Sequence, residues 1–126
     1  MVFYQKRSKR KVSGGRYKTS EKKRLYYVGS LPTLTRVEET SKKTKREKSG
    51  SLKQVLLTIN KINVTNPKTK KTQTTEILTV VESPANRHFI RRNIITKGAI
   101  VETKMGKVKV TSRPGQEGTL NGILTV

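Results

Sequence analysis

Few residues in this chain could do acid–base, nucleophilic or metal chemistry. It has no Asp and no Cys, its single His is His88, and its eight acids are all Glu, dispersed between Glu21 and Glu117. A Ser-His-Asp or Cys-His triad cannot be assembled in its usual form. Two-metal hydrolysis needs clustered carboxylates, and a zinc site needs more than one imidazole or thiolate. No catalytic residue, metal, cofactor or small-molecule substrate is therefore expected.

The abundant chemistry is cationic. Lys and Arg number 29, the formal charge is +21 and the sequence pI is about 10.7. A compact chain with that charge repels itself, which makes a polyanion the natural partner. Nucleic acid presents closely spaced phosphates, and each cation that neutralises one releases a condensed counterion. An anionic membrane is the competing polyanion, and it calls for an amphipathic basic helix or a basic cluster beside an anchor. No apolar run is long enough to span a bilayer, and the basic segment has no apolar face. A membrane partner is not expected. Basic residues near the N-terminus are not followed by an apolar stretch, so a secretory signal is not expected either. With no thiols, the chain suits a reducing compartment, and the cytoplasm is the expected location.

Three basic clusters lie in the first 50 residues. Lys6-Arg7-Ser8-Lys9-Arg10-Lys11 runs through Val12 and Ser13 into Gly14-Gly15-Arg16. Guanidinium forks and ammonium groups can contact phosphates there, and the glycine pair lets backbone approach a sugar-phosphate chain. The bland alternative is a solvated tail or a localisation-type run. Lys22-Lys23-Arg24 is followed by Leu25-Tyr26-Tyr27; these rings can stack on unpaired bases or pack on the protein. Lys42-Lys43-Thr44-Lys45-Arg46-Glu47-Lys48 reads as a flexible basic loop, better explained as solvated linker than as a site. Further along, Arg87 to Asn93 is the densest polar run, and Arg91, Arg92 and Asn93 precede the pair Ile94-Ile95 that would fix them to a frame. An ordinary exposed corner is the alternative there, with His88 as a turn residue. In Ser112-Arg113-Pro114-Gly115-Gln116, a turn, Arg113 is the candidate phosphate contact.

The elements that must position these residues divide near Gly50. Residues 1–50 hold 16 Lys and Arg against four Glu, a net of +12, and their apolar residues follow no period. Such a segment cannot bury enough apolar surface to offset chain entropy, so it is expected to be disordered when free and to order on a partner. Residues 51–126 hold 13 Lys and Arg against four Glu, a net of +9, with β-branched residues in short runs. In 54–60 alternation puts Val55, Leu57 and Ile59 on one face. Residues 107–111 alternate lysine out and valine in, and 99–103, 118–125 and a long, bent 72–82 are further strands. Turns fall at Asn66-Pro67, Lys97-Gly98, Met105-Gly106 and Arg113-Pro114-Gly115. Ser83 at an N-cap with Pro84 next predicts a short helical turn over 83–89. Five or six short strands with tight turns predict an all-β protein, a small antiparallel barrel with a long basic N-terminal extension. Its core is small, and no solenoid repeat is present.

These segments, in this order, resemble the archaeal and eukaryotic small-subunit ribosomal protein family called S-eight-e. The resemblance is carried by Arg7-Ser8-Lys9-Arg10-Lys11, Gly14-Gly15-Arg16 and Lys22-Lys23-Arg24. It continues through Glu82-Ser83-Pro84-Ala85-Asn86, Arg91-Arg92-Asn93-Ile94-Ile95-Thr96-Lys97-Gly98-Ala99, and Val110 to Gln116 with Gly118. It spans nearly the whole chain, and its length is that of the archaeal form. Two departures stand out: Val12-Ser13 where the family often has Pro-Thr, and Arg87 and Phe89 where Pro and Tyr often flank the His. The resemblance implies a β-barrel-like domain, an N-terminal extension threaded into ribosomal RNA, no enzymatic activity, and a role in building the small subunit for translation.

The expected partners are then small-subunit ribosomal RNA and neighbouring small-subunit proteins. The expected RNA contacts are Arg7, Lys9, Arg10, Lys11, Gly14, Gly15, Arg16, Lys22, Lys23 and Arg24 in the extension. In the domain they are Arg91, Arg92, Asn93, Lys97 and Arg113. A ribosome-assembly factor with a related domain is the first alternative, and a chromatin-type DNA-binding protein with a basic arm is the second.

Overall fold

The computed structural model describes residues 3–18, 21–22, 24–47 and 49–125. It divides into two compact units, Met1–Pro32 and Thr33–Val126.

The larger unit is built on a closed barrel of five strands, β5 (Lys61–Thr65), β6 (Thr72–Glu82), β7 (Ile100–Thr103), β8 (Gly106–Val110) and β9 (Asn121–Leu124). Each strand runs antiparallel to the next, but an odd number cannot alternate around a closed ring. One pair must be parallel, and it is β5 with β9, where Asn63 faces Asn121 and Val64 faces Gly122. Alternation works as read in β8: Val108 and Val110 are buried while Lys107 and Lys109 are exposed. Ala99, Val101 and Thr103 point inward from the β7 region in the same way, and Ile62 and Val64 do so from β5. Glycine is required at 122, because a Cβ there would sit 2.5 Å from a Val108 methyl carbon and 3.0 Å from Ile62 Cδ1. Closing so narrow a barrel leaves no room for a side chain at that point.

The expected bend in β6 takes the form of two bulges. Between Ile77 and Thr79, and again between Val80 and Glu82, β6 advances two residues while β7 advances one. Leu78 and Val81 are the extra residues, and both are exposed. The first bulge shifts the inward frame, so Ile77 and Val80 both reach the core despite their spacing of three.

Two sequence expectations differ from the structure here. In β4 (Leu52–Thr58), Leu56 is wholly buried and Leu57 is 37% exposed, so Leu57 does not share an inward face with Val55 and Ile59. β4 is not one face of a simple sheet. The Leu56 N–H donates to the Pro114 carbonyl, its own carbonyl accepts from Thr35 Oγ1 at 2.7 Å, and the Arg36 N–H donates to Leu57. Neighbours on both sides, not alternation, decide burial. The helical turn also starts later than Ser83-Pro84 predicts: α1 is His88–Arg91. Ser83 is buried instead of capping, and Asn86 serves the turn, its Oδ1 accepting from the His88 N–H at 2.9 Å.

The larger unit begins at Thr33, ahead of the composition shift near Gly50. Thr33 to Val37 threads between two partners: Arg36 bridges Thr58 on one side and Ile94 on the other. The Val37 N–H donates to Asn93, and the Ile95 N–H donates to Thr35. The basic run expected as a flexible loop is instead a strand, β3 (Ser41–Arg46), paired antiparallel with β4 in a two-stranded ribbon. Period-two reading missed it because both of its faces are polar.

The smaller unit has local order where a plain extension was expected. β1 (Phe3–Tyr4) pairs with β2 (Val28–Gly29), a 3₁₀ turn spans Leu25–Tyr27, and Arg10 bridges Arg16 across a tight turn. No apolar side chain is buried in it among the described residues.

Candidate nucleic-acid interface

The candidate contacts of the larger unit gather at one end of the barrel. β6 runs towards that end and β7 away from it, so the loop over 83–99 lies there. β8 also arrives there and β9 departs, which adds the loop over 111–120. Arg91, Arg92, Asn93 and Lys97 sit in the first loop and Arg113 in the second, all exposed. Backbone bonds fix the two loops: Gly98 N–H to Val110, Thr111 N–H to Asn121, and Gln116 and Glu117 N–H groups both to Arg113.

Arg91 and Arg92 owe their placement to how α1 ends. Asn93 adopts a left-handed φ of 47°, its N–H donates to Ile90, and the Ile94 N–H reaches back to Phe89. These two bonds form a Schellman stop with Asn in the position glycine usually takes. The stop turns Ile94 and Ile95 into the core, where both are buried. Arg91 and Arg92 are thus held outward by a frame that cannot rotate without exposing two isoleucines. Asn93 is chiefly part of that frame, since its carbonyl accepts from Val37 and its Oδ1 lies 3.5 Å from the Val80 nitrogen.

In the smaller unit, Lys9, Arg10, Lys11, Gly14, Gly15 and Arg16 form one miniature hairpin. Lys11 N–H donates to Gly15, Gly14 N–H to Lys11, and Tyr17 N–H to Lys9. Gly14 has φ +82 with nothing within 4 Å of where a Cβ would be, so it makes the turn and leaves its backbone open. Every described residue from Phe3 to Lys18 is exposed. The Arg7 guanidinium lies 3.9 Å from the Tyr17 ring centre and Lys6 Nζ 4.5 Å from that of Tyr27. Such stacking orders cations without neutralising them. Tyr4, Tyr17 and Tyr27, with Lys6, Arg7 and Lys9, line a cleft of about 890 Å³. Tyr27 is also 4.3 Å from Tyr26, whose hydroxyl is held above the usual tyrosine range, first by its hydrogen bond with Tyr27. Lys22 and Arg24 are exposed beside this turn; Lys23 lies outside the described residues.

Three groups of cations were not named as contacts from the sequence. Arg36 is exposed on the bridging segment. β3 carries Lys42, Lys43, Lys45 and Arg46. Lys68, Lys70 and Lys71 occupy the β5–β6 hairpin at the opposite end of the barrel. The last had a readable signal, three lysines inside an Asn66-Pro67 turn. Arg36 had none, and the β3 run stood out as a basic cluster but read as solvated linker. Among the described residues the ion pairs are Lys6–Glu21, Lys53–Glu47 and Lys104–Glu76, and no group of His and Glu could hold a metal.

Fold and charge define the class: a small, strongly basic β-barrel protein whose cations greatly outnumber its acids. The sequence pattern of the family described as Ribosomal protein S8e matches residues 4–125. The small ribosomal subunit protein eS8 of Methanobrevibacter smithii is 50% identical over 124 residues, covering 98% of this chain and 99% of that protein. Its counterpart in Methanosphaera stadtmanae is 46% identical, covering 98% of each. That of Nanoarchaeum equitans is 46% identical over 121 residues, 96% of this chain and 95% of its own. The chain belongs to the ribosomal protein S8e family, a family of structural ribosomal proteins and not of enzymes. The resemblance drawn from the Gly14-Gly15 and Arg91-to-Ala99 segments holds.

Proposed function

We propose that the protein is a structural constituent of the small ribosomal subunit, cytoplasmic, which binds and stabilises folded ribosomal RNA in support of translation. The observation that carries this reading is the mismatch between 29 Lys and Arg and three ion pairs among the described residues. With eight Glu against 29 Lys and Arg, cations far outnumber the acids that could meet them.

In this reading the larger unit docks first. Arg91, Arg92, Lys97 and Arg113 come from two loops whose backbones are already fixed, so little entropy is lost when they meet phosphates. Residues 1–24 then follow the RNA and neutralise backbone through Arg7, Lys9, Arg10, Lys11, Arg16, Lys22, Lys23 and Arg24, with Gly14 and Gly15 allowing close approach. Ordering that stretch costs entropy, so its net gain depends on many contacts made together. Recognition rests on RNA shape and phosphate position more than on base edges. Neighbouring small-subunit proteins are the remaining partners, and chemistry on a substrate has no part in the role.

Sedimentation of tagged protein through a high-salt gradient of cell extract tests this. One copy per mature small subunit, retained at high salt, is the expected result. Presence only on precursor particles makes the protein an assembly factor, and a preference for duplex DNA over structured RNA at matched salt makes it a DNA-binding protein.

A further inference from the structure

We infer that the β3–β4 ribbon is a two-faced wedge that seats between two RNA phosphate backbones. The inference rests on the RNA-binding reading above and adds a site to it. β3 is Ser41–Arg46, with four cations in six residues. Cross-strand partners share a face. Lys42 lies opposite Leu56 and Arg46 opposite Leu52, while Lys43 lies opposite Val55 and Lys45 opposite Lys53. Alternation therefore puts Lys42 and Arg46 on one face and Lys43 and Lys45 on the other. A ribbon that lay flat on one nucleic-acid surface would need cations on one face alone. Charge on both faces fits a position with phosphates on both sides, such as a widened groove or the cleft between two apposed helices. The ordinary A-form major groove is too deep and narrow to admit side chains freely.

Three further observations support a wedge over a merely solvated hairpin. The base is anchored: Thr40 Oγ1 donates to Asn60 Oδ1 at 3.0 Å, Thr58 Oγ1 donates to the Glu39 carbonyl, and Val55 and Leu56 are buried. The outer half has no apolar cross-strand pair. Its pairs are Thr44 with Gln54, Lys45 with Lys53 and Arg46 with Leu52, and Leu52 is 72% exposed. Two-stranded ribbons without apolar support are marginal in water, and like charges directly opposite weaken them further. Among the described residues of the ribbon, Lys53 alone has a carboxylate, Glu47 at 3.4 Å, with Gln116 as a second acceptor. Among the described residues no ion pair serves Lys42, Lys43, Lys45 or Arg46. Phosphates on both sides would turn this internal repulsion into attraction. The rival explanation is edge protection, since lysines on an unpaired edge strand discourage intermolecular pairing.

The test uses the full-length chain and protein-free small-subunit ribosomal RNA, with affinity measured across a salt series. Two double variants address one face each: Lys42→Gln with Arg46→Gln, and Lys43→Gln with Lys45→Gln. Each is expected to weaken binding roughly three- to tenfold and to reduce the log–log salt slope by about 1.5, with thermal melting unchanged. A face whose loss changes neither affinity nor slope overturns the wedge and leaves edge protection. If Arg91→Gln with Arg92→Gln weakens binding while both ribbon variants do not, the wedge fails and the RNA reading stands. If the parent chain does not bind the RNA, both fall. Because the chain has no Cys, Lys42→Cys and Lys43→Cys can each carry a tethered hydroxyl-radical source. The two are expected to cut different RNA backbone segments, and cutting of one shared segment overturns the wedge.

Discussion

The two units of this chain hold charge in opposite ways. Met1–Pro32 carries ten Lys and Arg against one Glu, a net of +9, and buries no apolar side chain among its described residues. Thr33–Val126 carries 19 against seven, a net of +12, around a core that includes Leu56, Ile62, Val101, Val108 and Leu120. Per residue the first unit has roughly twice the charge. What organises it is local: a glycine turn, a two-residue strand pair and cation–ring stacking. In the second unit an apolar interior fixes the loops, and the cations inherit fixed positions. Density of charge without a core favours affinity that tolerates any phosphate geometry, whereas charge on a fixed frame can select a shape.

The largest expected effect comes from separating the two units. Deleting residues 1–24 removes all ten cations of the first unit and is expected to lower ribosomal-RNA affinity at physiological salt by roughly a hundredfold or more. Thermal melting of the barrel should stay within error of the parent. Equal binding by the truncated chain would remove the first unit from the interface. The reverse separation is Gly122→Val, which forces a side chain against Val108 and Ile62. Overpacking of this kind lowers stability by about 1–3 kcal/mol, a fall in melting temperature of about 4–8 °C per kcal/mol for a domain this size. A melt unchanged by this substitution would mean the barrel is not closed at β5–β9.

A finer comparison asks whether framed cations act individually. Arg91→Gln and Arg92→Gln should each reduce the salt slope of RNA binding by about 0.7–0.9 without altering the melt. Asn93→Ala should act differently, lowering stability because alanine disfavours the left-handed turn at φ 47°. A loss of affinity with no change in melting would make Asn93 a direct contact. The smallest effect concerns Glu76, whose carboxyl is held below the usual range by the hydrogen bond and charge of Lys104. A lowered folded-state value adds stability that is complete above the unfolded value and lost as pH falls through the folded one. Glu76→Gln should therefore lower the melt slightly at neutral pH and not at strongly acid pH, an exposed pair contributing little at most.

Where sequence reading succeeded, one local rule was sufficient. Lys107 to Thr111 alternates because one face of β8 is buried and the other wet, and Asn66-Pro67 turns because those residues favour it. Where it failed, a distant segment intervened. Leu56 is inside and Leu57 outside because Thr35 and Pro114 reach β4 from afar in sequence. A helical turn was legible over 83–89, but the helix is His88–Arg91, and Asn86, not Ser83, serves it. At the interface, Arg91 and Arg92 were legible as candidates from the Ile94-Ile95 pair beside them. That Asn93 works as a helix stop was not, because its left-handed φ appears only once Phe89 and Ile90 accept their bonds.

The sequence by itself determined an all-β protein of extreme positive charge, with no Asp or Cys and a single His, and a family resemblance that full-length matches support. Composition and period are enough for these, because charge adds along a chain and alternation needs only neighbours. Only the tertiary structure decided that the larger unit starts at Thr33, that a lysine run is a paired strand, and that loops over 83–99 and 111–120 share one end of the barrel. Each depends on pairing between residues remote in sequence. An odd-stranded barrel must also close on a parallel pair, and no local pattern records which strands will meet.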